Sequence, residues 1–156
     1  QTALKSTPQF PASDSQIIEL AKKMTKNDVT DEQKVKSLVR QVYGMMEFTH
    51  KTSGVLQTLK TRQGDCTETS DLFTTLARSL GIPAKSIGGL AYTGDELQTF
   101  GGHQWNEVLL DGEWVAVDPT WDQVRADVSH IRMAPLGGLQ LLANPELKQV
   151  NVLSKQ

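Results

Sequence analysis

Apolar residues change their spacing partway along the chain. Before residue 81 they recur every three or four positions; after Pro83 they alternate or run in short stretches. Ile17, Ile18, Leu20 and Ala21 mark the inner face of a helix over 13–24. Val35, Leu38, Val39, Val42 and Met46 do the same over 31–47, and Thr30 with Gln33 forms a capping-box pattern at its start. Leu72, Phe73, Leu76, Ala77 and Leu80 define a third helix over 66–80, stopped by Gly81 and Pro83. Residues 1–15, with Pro8 and Pro11, read as an arm, 25–29 as a turn and 49–64 as a loop. Beyond Pro83, 84–92 reads as a strand whose Gly88 and Gly89 suggest a bulge or a close backbone approach. Residues 93–98 form a polar loop. Two strands, 102–110 and 113–118, flank Asp111-Gly112, a type I′ hairpin signature. Residues 119–135 are expected to wrap over the sheet, with a short strand at 128–133, and further strands are expected at 139–143 and 147–153. Helices first and strands afterwards predict an α+β fold with an antiparallel sheet.

The hairpin carries chemistry. If Asp111-Gly112 is a two-residue loop, Leu110 pairs with Glu113 and Trp105 lies opposite Asp118. His103, two residues from Trp105, then shares a face with Asp118, within reach of an imidazole–carboxylate hydrogen bond. That face also bears Trp105, Glu107, Leu109, Trp114 and Ala116, and is expected to receive the helix at 66–80. Cys66 opens this helix, where unpaired N–H groups and the helix dipole favour a thiolate. A thiol, a histidine and an acid so arranged form a complete set for acyl transfer through a thioester. Cys66 would be the nucleophile, His103 the general base and acid, and Asp118 the group that orients His103. The Cys66 N–H would form part of an oxyanion hole.

Blander roles stand beside these. A lone cysteine near a core helix is ordinarily a small buried hydrophobe. Asp65 reads as a helix cap, and Glu68 and Asp71 as solvated helix surface. Trp105, Trp114 and Trp121 read as core or cleft walls, with Trp105 and Trp121 as candidate substrate contacts. His130 reads as a nearby structural or substrate-contacting residue, and as an alternative base; no motif surrounds His50. Cys66, His103 and Asp118 are also metal ligands by type, although no metal or other cofactor is expected.

Composition narrows the classes. The 156 residues suffice for one domain with a hydrophobic core. Sixteen basic and 18 acidic residues give a net charge of −2, which offers nucleic acid no electrostatic attraction. No apolar run reaches the roughly 18–20 residues of a membrane span, so no membrane insertion is expected. One cysteine excludes an internal disulfide and a Cys-based metal cluster. The start at Gln1 fits a mature or excised product lacking its targeting information.

Three stretches also resemble a family: Gly64-Asp65-Cys66 with its helix, Gly101-Gly102-His103-Gln104-Trp105-Asn106-Glu107-Val108, and Trp114-Val115-Ala116-Val117-Asp118-Pro119-Thr120-Trp121. They are similar to the motifs of the bacterial transglutaminase-like domain, within the papain-like cysteine-enzyme superfamily. The similarity covers roughly Thr30 to Met133, including Leu80-Gly81-Ile82-Pro83-Ala84. It implies a nucleophile helix packed on an antiparallel sheet, with Cys66, His103 and Asp118 as the triad. Residues 1–29 are then an arm and helix, and 30–156 the catalytic domain of a single-domain chain. The implied partner is a peptide or protein substrate, cleaved or transamidated at an amide. The alternative is a catalytically silent scaffold or interaction module of an envelope protein. An exported or periplasmic location is implied by bacterial relatives, with the cytoplasm as the other reading. No calcium dependence carries over, since no loop of EF-hand type is present. Gln63 is a candidate second oxyanion donor by residue type, at a spacing unlike the papain arrangement.

Overall fold

The computed structural model describes residues 2–94 and 99–133. The strands expected at 139–143 and 147–153 lie outside the described residues. Helix α1, Ser15–Met24, begins at the cap of Asp14, which accepts from the Gln16 N–H. Helix α2, Asp31–Met45, carries the expected capping box between Thr30 and Gln33. Short strands β1 (Glu47–Phe48) and β2 (Gln63–Gly64) pair in parallel around helix α3, Val55–Thr61. The loop expected over 49–64 therefore contains a helix of seven residues. Its apolar positions are few, and a helix this short is marginal without tertiary contacts. Val55 and Thr58 provide them: both are buried.

Helix α4, Cys66–Ser79, is the centre of the fold. Leu72, Phe73, Leu76 and Ala77 are fully buried in one core with Ile17 and Ala21 of α1 and Val35, Leu38, Val39 and Val42 of α2. Full burial of one such large apolar side chain contributes about 1.5–3 kcal/mol. The arm packs on the same body: Lys5 O accepts from Arg78 Nη1, and the Arg78 guanidinium lies 4.4 Å from the Phe10 ring centre.

The main sheet is antiparallel, in the order β5-β4-β3-β6: β3 is Ala84–Tyr92, β4 Phe100–Leu110, β5 Glu113–Val117 and β6 His130–Arg132. The hairpin register is the expected one, from Leu110↔Glu113 to Asn106↔Val117. Asp111 and Gly112 both have positive φ, 50° and 87°, as a type I′ turn requires.

Helix α4 packs on the opposite face of this sheet from the one expected. Ser70 Oγ donates to Gln104 O, and Asn106 Nδ2 donates to Ser70 O and Thr74 Oγ1. Ala84, Val108 and Val117 join the core from the same side. The face with His103, Trp105 and Glu107 is instead crossed by residues 118–129, which run from the end of β5 at one sheet edge to β6 at the other. Three strand spacings, about 14 Å, separate those edges. Alternation told which residues share a face. It could not tell which face the helix would take, because both carry apolar residues.

Candidate active site

The capping box that starts α4 holds Cys66 in place. The Asp65 carboxylate accepts from the Thr67 N–H at 2.7 Å and from the Glu68 N–H, and Glu68 Oε2 accepts from the Asp65 N–H. Glu68 is not solvated surface, as expected, but 3% exposed. Its other oxygen accepts from the Ser53 N–H, tying the segment before α3 to the helix start. Gly64 admits this clasp: a Cβ there would meet Glu68 Cβ at 2.3 Å. Asp71 is half-buried and accepts from the Gln9 and Gln104 amides. Burial pushes its carboxyl above the usual range, against hydrogen bonds with Gln9, Ser86 and Gln104. No hydrogen bond joins the Cys66 N–H, at the positive end of α4, to another described residue.

His103 and Asp118 meet as the hairpin register requires, with Nε2 2.7 Å from Oδ2. The ladder ends at Asn106↔Val117, and Asp118 turns away to bridge Gln123. With Nε2 engaged, Nδ1 is the ring nitrogen left for the thiol. Burial works against a charged His103. Hydrogen bonds with Asp118 and Cys66, and the charges of both, outweigh it and raise the imidazole from 6.5 to about 9. Asp118 is fully buried. Burial alone would raise its carboxyl, but hydrogen bonds from His103, His130 and the Thr120 N–H, with the His103 charge, hold it below the usual range.

The tryptophans take different places. Trp121 stacks on His103, ring centres 4.2 Å apart and planes 10° off parallel. Trp105 is 2% exposed and packs against the rings of His103 and His130, leaving little surface for a substrate. Trp114 is 41% exposed, under Lys85. Gln63 is turned away, its amide donating to Glu47.

His130 enters the site more closely than its sequence context indicated. Its Nε2 lies 3.0 Å from the same Asp118 oxygen. The signal in the sequence was its place in a short strand, two residues before Arg132 and so on one face with it. The β3–β6 pairing that brings this face over Asp118 leaves no local pattern. One ligand atom each from His103, Asp118 and His130 lies within 4.8 Å of the others. The 2.7 and 3.0 Å contacts are hydrogen-bond lengths, shorter than the about 3.3 Å between ligand atoms of a tetrahedral zinc site. The arrangement as it stands suits proton handling better than metal ligation.

Over 85% of its length the chain superimposes on a suspected cysteine protease from Cytophaga hutchinsonii, with a TM-score of 0.73 and 20% identity, covering 45% of that chain. The periplasmic domain of TgpA from Pseudomonas aeruginosa, bound to ethylmercury, matches over 80% of this chain and 50% of its own, with a TM-score of 0.60 and 21% identity. A suspected protease from Parabacteroides distasonis matches over 81% of this chain and 30% of its own, at 0.53 and 13%. The chain thus spans half or less of each solved chain, and identities this low speak for the fold alone. No curated protein matches the sequence. No described helix is long and apolar enough to cross a membrane. A family model described as the transglutaminase-like superfamily matches residues 18–119, more than half of the chain and the part that holds Cys66, His103 and Asp118; the chain belongs to that superfamily.

Proposed function

We propose that the chain is a cysteine acyltransferase or amidase acting on peptide or protein amides, with Cys66 as nucleophile, His103 as base and acid, and Asp118 orienting His103. The supporting observation is the 2.7 Å His103–Asp118 contact on an imidazole that also interacts with Cys66 at the start of α4.

In this reading His103 Nδ1 takes the proton of the Cys66 thiol, the sulfur attacks the amide carbonyl carbon, and the oxygen takes up negative charge beside the Cys66 N–H. His103 passes its Nδ1 proton to the departing nitrogen as the C–N bond breaks, which leaves a thioester and a free amine. Water or a second amine then attacks the thioester, giving its proton to His103 as the C–S bond breaks. Asp118 stays ionised and keeps the Nε2 proton in place. Trp121, stacked on the imidazole, shields the pair from water and forms a wall against the bound peptide. The reaction class suits an exported or envelope-bound protein acting on peptides there, a location supported by the periplasmic TgpA neighbour.

Two measurements test the assignment. Iodoacetamide should label Cys66 rapidly at pH 7, and His103→Ala should slow labelling on the order of tenfold or more. Unreactive Cys66 would instead identify a silent scaffold module. Wild type and Cys66→Ala incubated with glutamine peptides and a labelled primary amine separate the two outcomes of the thioester. Amine incorporation means transamidation, and release of a free acid alone means hydrolysis.

A further inference from the structure

We infer that His130 is a positioning residue for Asp118, so that the site is a four-member unit in which one carboxylate oxygen is shared by two imidazoles. This inference rests on the reading of Cys66, His103 and Asp118 as the triad.

Both histidines direct Nε2 at Asp118 Oδ2, at 2.7 and 3.0 Å, while the Thr120 N–H donates to Oδ1 at 2.8 Å. A carboxylate only accepts, so each Nε2 must carry a proton. The other nitrogen of His130, Nδ1, is 3.3 Å from Ser129 Oγ and 3.6 Å from Asp127 Oδ1. The side chains of His130 and Asp118 are 3% and 0% exposed, so water does not replace a lost donor cheaply. Three donors from three segments fix the plane of the carboxylate, and that plane sets the direction of the His103 ring.

The fold is built to deliver this contact. Asp127 Oδ1 accepts from the Ser129 N–H, and the Asp127 carbonyl from the His130 N–H, turning the chain into β6. Strand β6 pairs with β3 through Ala91↔His130 and Gly89↔Arg132, and Arg132 Nη1 anchors its end to Glu107 at 2.8 Å. The His130 ring stands edge-on to Trp105 and Trp121, which also flank His103. The titratable and charged groups around the unit are Cys66 from α4, His103 and Glu107 from β4, Asp127 from the crossing segment and Arg132 from β6.

The decisive measurement is long-range nitrogen–proton NMR of the imidazoles in the native protein. Nε2 of both His103 and His130 should carry a proton, and Asp118→Asn should perturb both signals together. An unprotonated His130 Nε2 would overturn the inference. His130→Gln retains an N–H donor, whereas His130→Met has similar size and none. With both folded by circular dichroism, iodoacetamide labelling of Cys66 at pH 7 should stay within about twofold of wild type in the first and fall on the order of tenfold in the second. Equal rates in the two variants would overturn the inference. If His130→Met does not fold, the NMR result alone decides. Failure of the triad reading has a different signature: wild-type Cys66 would then be unreactive whatever the His130 tautomer.

Discussion

At the scale of single residues, the Asp118 carboxylate ties the proposed catalysis to stability. His103 has a folded-state value of about 9 against 6.5 in an unfolded chain. Its imidazolium therefore stabilises the fold fully below about 6.5, and that contribution is lost as pH rises through 9. Asp118 has the opposite sign. Its value is held below 3.8, so its contribution is present above about 3.8 and disappears as pH falls through the lower folded value. Urea denaturation should thus show greatest stability between about pH 4 and 6.5. The fall toward pH 9 should amount to about 3 kcal/mol at most, because a shift of one unit is worth about 1.4 kcal/mol. Asp118→Asn should flatten both slopes and lower the plateau. A slope toward pH 9 unchanged in Asp118→Asn would mean that other groups carry it. Much of this pair was legible beforehand: a two-residue turn fixes the register, and the register puts His103 and Asp118 on one face.

At the scale of elements, the start of α4 depends on a clasp more than on the helix itself. Asp65 and Glu68 cap reciprocally, and Glu68 reaches on to the Ser53 N–H. Glu68→Ala leaves two backbone donors without their partner and should cost about 2–4 kcal/mol. Gly64→Ala puts a methyl group into the Glu68 side chain and should cost about 1–3 kcal/mol. Both should also slow alkylation of Cys66, whereas Asp14→Ala at the start of α1 should cost only about 1 kcal/mol and leave alkylation unchanged. Thermal melts and labelling rates on the same samples check these expectations. Asp65 was readable as a cap from its position before a patterned helix. Burial of Glu68 was not, because it depends on Gly64 and on a seven-residue helix that brings Ser53 alongside. Neither interaction has a periodic signature.

At the scale of the whole molecule, the crossing segment joins the two sheet edges and assembles the site from distant parts. Arg40 of α2 holds it through Asp122, the Ala126 N–H donates to Ala116 O, and β6 completes the sheet. Of the expectation that residues 119–135 wrap over the sheet, the described part agrees: 119–129 cross it and 130–132 join it as β6. The missing step was that a covered face has no room for α4. Gly88-Gly89 raised a related question, whether the pair marks a bulge or a close approach. The two glycines answer it differently. A Cβ on Gly89 would meet Ile131 O at 2.1 Å and the Trp105 ring at 2.7 Å, whereas the nearest atom to one on Gly88 is His103 O at 3.8 Å. Gly89 is the point where β6 closes onto β3, and neither Ile131 O in the ladder nor the buried Trp105 is a flexible side-chain end that could swing aside. Gly89→Ala should therefore push β6 outward, cost at least about 2 kcal/mol, and expose 119–129 to limited proteolysis. Gly88→Ala has neither a clash nor a positive φ and should lie within about 0.5 kcal/mol of wild type, or slightly above it through a less flexible unfolded chain. Equal melting temperatures and equal proteolysis in the two variants would mean that β6 does not close the molecule as the structure shows.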